Sequence, residues 1–267
     1  MAVAISTAIG CNSSLQVALD RVVQAGGAGA DVLAIGAWAH VNPAVLAGDF
    51  VATLAGLRAE LAARKLTAVT LNTGTTVQLH DRGEESNRQR AVETAALCDA
   101  MVALGVKTAA IQPLSADKSR PAEVVMAACI ASLREQYGIA AERGVRLAVE
   151  LHVHSPFESL EQARALLEGM PEVRVVYDPT HFIMQGMPLR ETAWIMDRAI
   201  HVHARDASKG KLQTPLGTGE VDFDWVIGEL RNRGYSGDVS IEYLETAEFD
   251  VVDSARRLGE RFAGVFG

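Results

Sequence analysis

Short β-rich runs and longer helical stretches alternate eight times along this chain, with no shift of composition that would mark a linker. This alternation restricts the fold more than any other feature. Parallel strands need a crossover between them, and strict strand–helix order implies a parallel sheet with helices packed outside it. The strand runs are Ala2–Thr7, Asp31–Gly36, Thr67–Asn72, Lys107–Gln112, Val145–His154, Val173–His181, Ala199–Asp206 and Asp238–Tyr243. Helices are expected over Ser14–Gln24, Phe50–Arg64, Ser86–Leu104, Pro121–Arg143, Ser159–Glu168, Leu189–Arg198, Phe223–Arg233 and Asp250–Ala263. Eight such units close into a (β/α)8 barrel, here one domain over residues 1–267. An open doubly wound sheet is the runner-up, but no G-x-G-x-x-G follows the first strand.

Four of the eight runs end in a residue that a buried strand does not favour. In V-R-L-A-V-E-L-H-V-H (145–154), period-two alternation puts Ala148, Glu150, His152 and His154 on one face and only apolar residues on the other. The same parity turns Asp178 in V-R-V-V-Y-D-P-T-H, His203 in A-I-H-V-H-A-R-D and Glu242 in D-V-S-I-E-Y inward, while Val175, Tyr177, Ile200, Val202, Val239 and Ile241 face the helices. Charge inside a sheet covered on both faces is costly unless something pairs with it. A divalent metal is such a partner. Three carboxylates and one imidazole form an oxygen-rich set that suits manganese, magnesium, cobalt or zinc. In a (β/α)8 barrel the carboxyl ends of the strands are also where the active site lies.

A metal at that position would polarise a carbonyl and stabilise the enediolate formed when a neighbouring C–H proton is removed. Glu150 and Glu242 are the candidate bases, one on each side of a substrate. His181, in D-P-T-H, is placed to contact substrate oxygens, and Arg205 and Asp206 are suited to orient hydroxyl or anionic groups. His152, His154 and His201 read as supporting residues, since one imidazole completes the set. His152, Trp38, His40 and Gln112 are the remaining candidates to line the pocket. The polar stretch 73–85 is expected to lie over the site, and Gly217-Thr218-Gly219 is expected to form a turn, with a phosphate cradle as the alternative. These residues leave three reactions open: isomerisation or epimerisation, dehydration through the same enediolate, and binding without catalysis.

Composition removes several other classes. A formal charge of −8 with no cluster of Lys and Arg argues against nucleic acid as a partner. Three cysteines without C-x-x-C spacing fit reduced thiols in the cytoplasm better than a disulfide framework. Met1–Cys11 is apolar but lacks a basic leader, so it is expected to be a buried strand rather than a signal peptide. There is no run of about 18 uncharged apolar residues, the length a membrane span needs.

The stretches L-A-V-E-L-H (147–152), Y-D-P-T-H (177–181), H-V-H-A-R-D (201–206), L-G-T-G-E-V-D-F (216–223) and G-Y-S-G-D-V-S-I-E (234–242) resemble the sugar isomerases and epimerases of the xylose-isomerase-like TIM-barrel superfamily. The resemblance covers essentially the whole chain. It implies one divalent ion, manganese foremost, held by Glu150, Asp178, His203 and Glu242, with the two glutamates as the acid–base pair and His181 contacting a small carbohydrate. It also implies a homodimer or homotetramer. Many members have H-x-K-D where this chain has H-A-R-D, and Arg205 cannot release a proton at ordinary pH. The superfamily also contains dehydratases and a three-zinc abasic-site endonuclease. The endonuclease's Asp-x-His has no counterpart in 208–220.

Overall fold

In a computed structural model, which describes residues 1–36 and 38–266, the expected strands pair in parallel and close into a ring. The strands are β1 (Val3–Ser6), β2 (Gly29–Ile35), β3 (Ala39–His40), β4 (Thr67–Gly74), β5 (Thr108–Ile111), β6 (Arg146–Glu150), β7 (Val175–Tyr177), β8 (Ala199–Ala204) and β9 (Asp238–Ile241). β1 pairs with both β2 and β9, which closes the barrel, and β3 is a two-residue antiparallel addition to the edge of β2. The helices are α1 (Leu15–Gln24), α2 (Pro43–Gly48), α3 (Phe50–Ala63), α4 (Glu84–Leu104), α5 (Ala122–Glu142), α6 (Leu160–Gly169), α7 (Thr180–Ile183), α8 (Phe223–Asn232) and α9 (Val251–Phe266). Local chemistry sets several of their starts. Ser14 accepts from Val17 N, Asp222 accepts from Trp225 N, and Ser159 with Gln162 forms a reciprocal capping box.

Two of the core's clusters set the faces of the barrel wall. Val149, Tyr177, Val202 and Ile241 face outward and pack with the helices in one large cluster, while Ala110, Ala148 and Val176 fill the barrel interior. The small interior residues leave room for polar side chains on the layers above them. Among the described residues no helix is long and apolar enough to cross a membrane, and Cys11, Cys98 and Cys129 are all buried and unpaired.

The structure adds β3, α2 and α7 to the expected elements, and it departs from the sequence reading in further ways. First, β6 stops at Glu150, because β7 pairs only with Val149 and Glu150 and offers nothing beyond. The chain then turns through His152–Ser155, and the strand parity expected for His152 and His154 does not apply. Second, β7 and β8 slip register between Val175 and Val176, which turns Ile200 toward the interior cluster instead of the helices. Third, Leu189–Arg198 is a 3-10 helix; Thr192 Oγ1 donates back to the Leu189 carbonyl at 2.6 Å, a local bond that favours the tighter turn.

Fourth, the loop after β4 lies against the helices rather than over the barrel mouth. Arg90 donates to the carbonyls of Gln78 and Asp81, Glu93 accepts from Thr76 N at 2.7 Å, and Ser132 donates to the Leu79 carbonyl at 2.7 Å. Fifth, Asp206 does not face substrate. Its carboxylate accepts the backbone N–H groups of Gly217 (2.8 Å), Gly219 (3.0 Å), Ala207 (3.0 Å) and Val221 (3.3 Å). The Gly-Thr-Gly turn therefore cradles an internal anion, which ties the loop after β8 to the strand itself.

Gly219 sits so close to this carboxylate that an added Cβ would fall inside van der Waals contact of Asp206 Oδ1 and the Ala207 carbonyl. Gly219→Ala should therefore cost about 1–3 kcal/mol of stability, the usual range for overpacking, read as a lowered urea midpoint. Gly228→Ala, where a Cβ meets nothing within 4 Å, should lower it not at all.

Candidate active site

The carboxyl ends of β6 to β9 bring four side chains to one point. Glu150 closes β6, Asp178 follows β7 by one residue, His203 lies within β8, and Glu242 follows β9 by one residue. One donor atom from each lies within 4.8 Å of every other, and all four residues are buried. His203 Nδ1 is 2.7 Å from Glu150 Oε1 and 3.3 Å from Glu242 Oε2, so both glutamates approach one ring nitrogen. Asp178 is fixed by its own Pro-Thr turn, where Thr180 donates to Oδ1 through its N–H (2.8 Å) and its hydroxyl (2.6 Å).

Arg205 is the cation of the cluster. Its Nη1 donates to Glu242 Oε2 (2.5 Å) and to the Glu242 carbonyl (2.9 Å), and Nη2 donates to Asp178 Oδ2 (2.9 Å). Burial alone would raise both glutamates, but positive neighbours outweigh it. His203 and His181 hold Glu150 well below the usual carboxylate range, and His203 and Arg205 lower Glu242. Burial likewise works against a charged His203, yet Glu242 and Glu150 hold it well above its ordinary value. In the protein without metal, His203 is thus an imidazolium between two carboxylates.

The remaining predicted residues divide into three groups. Gln112 reaches the cluster, its amide donating to Glu150 Oε2. His181 is fully buried with Nε2 3.5 Å from Asp178 Oδ2 and 3.2 Å from Arg205 Nη2, and its ring lies 4.0 Å from that of His152. His152 is pushed down to about 4, by burial first and then by His181, so it is neutral at neutral pH. A cavity of 440 Å³ opens above the cluster, and His152, Gln112, Arg205 and Glu242 line it. Trp38, nearly half exposed, stands at its wall with Leu114, Leu212 and Leu244. His40 is not in the lining; its ring nitrogens bond Thr7 Oγ1 (3.2 Å) and the Gly10 carbonyl (3.1 Å) behind β2. His201 lies one layer below and meets Ser240 Oγ at 2.8 Å.

Two polar residues of the cluster were not singled out by the sequence. Asn72, on β4, donates to Glu242 Oε1 at 2.7 Å and keeps its own carbonyl oxygen buried and unpartnered. Asp31, on β2, lies beneath His203, with Oδ2 3.7 Å from Nε2. Burial pushes its carboxyl up to about 7. A signal existed for Asp31, a charged residue at inward parity in a strand otherwise made of apolar and small side chains; Asn72 stands among the threonines of β4, where one more polar residue does not stand out.

A sequence profile described as the xylose isomerase-like TIM barrel matches residues 19–261. The chain belongs to this family. Inosose isomerase of Bacillus licheniformis is 26% identical over 178 residues, 62% of this chain and 64% of the relative, so the match spans less than two thirds of that protein. The apo form of 3-keto-D-glucoside 4-epimerase from E. coli superposes with a TM-score of 0.72 and 18% identity over 99% of this chain and 98% of that one. The IOLI protein, solved with a zinc atom, gives 0.72 and 20% identity over 98% and 96%. At these identities the two structures establish a shared fold.

The donor set of this xylose isomerase-like barrel fits a divalent cation. Glu150, Asp178 and Glu242 carry three negative charges against the one of Arg205, so a neutral His203 leaves two to be compensated in a buried space. Binding an ion through His203 must displace the proton held there. One proton should be released per ion, and affinity should climb roughly tenfold per pH unit while His203 remains protonated. Calorimetry in two buffers of different ionisation enthalpy checks this; uptake without proton release would contradict it.

Proposed function

We propose that this protein is a divalent-metal-dependent isomerase or epimerase of a sugar or polyol ketone, working by proton transfer next to a carbonyl. The carrying observation is the approach of Glu150 and Glu242, from strands on different parts of the ring, to one His203 nitrogen, within a four-residue donor cluster below an open cavity. When bound, the ion polarises the substrate carbonyl and stabilises the charge that develops as the neighbouring proton leaves. The oxygen-rich donor set favours manganese, with magnesium, cobalt and zinc as alternatives.

Each glutamate is poised as a base, because both are ionised at neutral pH. Arg205 keeps its proton throughout; its part is to hold Asp178 and Glu242 in place. Asn72 restrains the far oxygen of Glu242, as Gln112 does for Glu150. Trp38, Leu114, Leu212 and Leu244 offer an apolar wall for the C–H face of a ring, while Gln112, Ser115 and His154 offer polar atoms for hydroxyls. Arg205 is the one guanidinium or ammonium among the described lining residues, and both of its nitrogens that face the cluster are taken. A phosphate would find no free cation there, which favours unphosphorylated substrates. The names of the relatives, an inosose isomerase and a 3-keto-glucoside epimerase, support the same substrate class.

In deuterated water the metal-loaded protein should place deuterium on the carbon next to the carbonyl of its ketose. Glu150→Gln and Glu242→Gln should each reduce that exchange by about 10²–10⁴-fold, the usual share of a general acid or base. A product lacking one water would instead identify a dehydratase. Candidate ketoses that all keep their original hydrogens, with metal demonstrably bound, would overturn the reading.

A further inference from the structure

Beneath the donor cluster lies a carboxylate that the proposed reaction does not use. Asp31 projects inward from β2, fully buried, and neither of its oxygens has a hydrogen-bond partner. Hydroxyl groups surround it, none of them within hydrogen-bond geometry of its oxygens. Thr70 on β4 donates to the Thr108 carbonyl at 2.8 Å, Ser6 on β1 accepts from Ala8 N and keeps its own O–H, and Ser240 on β9, two strands away, lies near Asp31 and also meets His201 Nε2 at 2.8 Å. A buried carboxylate without a partner is costly, and such groups persist where they serve another group.

His203 has the complementary deficit. Its Nδ1 faces Glu150 and Glu242, but Nε2 is buried and unpartnered, and the atom it faces is Asp31 Oδ2 at 3.7 Å. The ring thus stands between the donor cluster and Asp31, one nitrogen toward each. An imidazole that ligates a cation through one nitrogen carries its proton on the other, and a carboxylate at the second nitrogen fixes both the tautomer and the ring's orientation.

We propose that Asp31 is a positioning residue for His203, holding the proton on Nε2 so that the Nδ1 lone pair is presented to the divalent ion. This rests on the metal-dependent reading given under Proposed function. It also assigns a purpose to placing a charge in the second layer of the barrel, where apolar residues would pack at less cost. His201, whose ring meets that of His203 edge-on at 5.1 Å, closes the space beside the pair. Burial keeps His201 neutral, so it adds no competing charge.

The test is zinc titration of the metal-free wild type, Asp31→Asn and Glu150→Gln proteins, with the unfolding midpoint of each. Asp31→Asn should bind zinc about 10–100-fold more weakly than wild type, the usual loss when the partner of a ligating histidine is removed. Its metal-free form should still unfold in one cooperative transition, so that the loss is read on folded protein. Nitrogen-15 spectra of zinc-loaded wild type supply a measurement independent of any variant, and His203 should show its proton on Nε2. Wild-type zinc affinity in Asp31→Asn, or a zinc-bound His203 with no proton on Nε2, overturns the proposal while leaving the metal site intact. A wild type that takes up no zinc, manganese, cobalt or magnesium overturns the metal reading and this proposal with it.

Discussion

Three carboxylates share one buried cluster, and Arg205 lies between two of them. The guanidinium bonds Asp178 and Glu242 at once, a two-pronged contact that a lysine's single ammonium does not reproduce. Much of the site's arrangement depends on this bridge. It compensates one of the three charges permanently and leaves the balance to His203 and, on metal binding, to the ion. It also locks two strand ends, β7 and β9, to the end of β8, so the donor atoms are held in register by the barrel rather than by mobile loops. The donor atoms rest on strand ends, and most of the apolar wall of the cavity (Trp38, Leu114, Leu212 and Leu244) rests on the loops beyond them.

The barrel itself was legible because its grammar is repetitive. Eight strand–helix units of similar length, with parity that could be checked at Val176 and Asp178, at His201 and His203, and at Ser240 and Glu242, leave few alternative topologies. The clustering of Glu150, Asp178, His203 and Glu242 was legible for the same reason: a polar or charged residue at the inward-facing carboxyl end of a buried strand is an anomaly, and four coincided. What failed was extrapolation past the last ladder contact. His152 and His154 looked like a continuation of β6, but parity holds only while a neighbouring strand enforces it. Ile200 was misassigned because a register slip between β7 and β8 leaves no mark in the sequence of β8.

Asn72 and Asp31 are hard to read from sequence for a different reason. Each sits in a strand whose other residues are ordinary for a barrel, and a single Asn or Asp in a strand has many innocent explanations. Their meaning comes from what stands across the barrel, and β2 and β8 are not neighbours in the ring. Periodicity along one strand cannot supply that pairing. The loop after β4 shows the same limit. Its polarity indicated an exposed connection, yet its position was decided by Arg90, Glu93 and Ser132, which lie on the next two helices, α4 and α5.

The anchoring of the loop after β8 has a wider consequence. Asp206 comes directly after Arg205, and its carboxylate gathers the backbone of Gly217, Gly219 and Val221, pinning the far end of the loop to the root from which it leaves. The segment between carries Leu212, part of the cavity wall. A loop stapled at both ends can exchange its middle residues without tugging on the strand that carries His203 and Arg205. The barrel is therefore built so that substrate preference can be retuned by drift in one short tether while the chemistry beside it keeps its geometry.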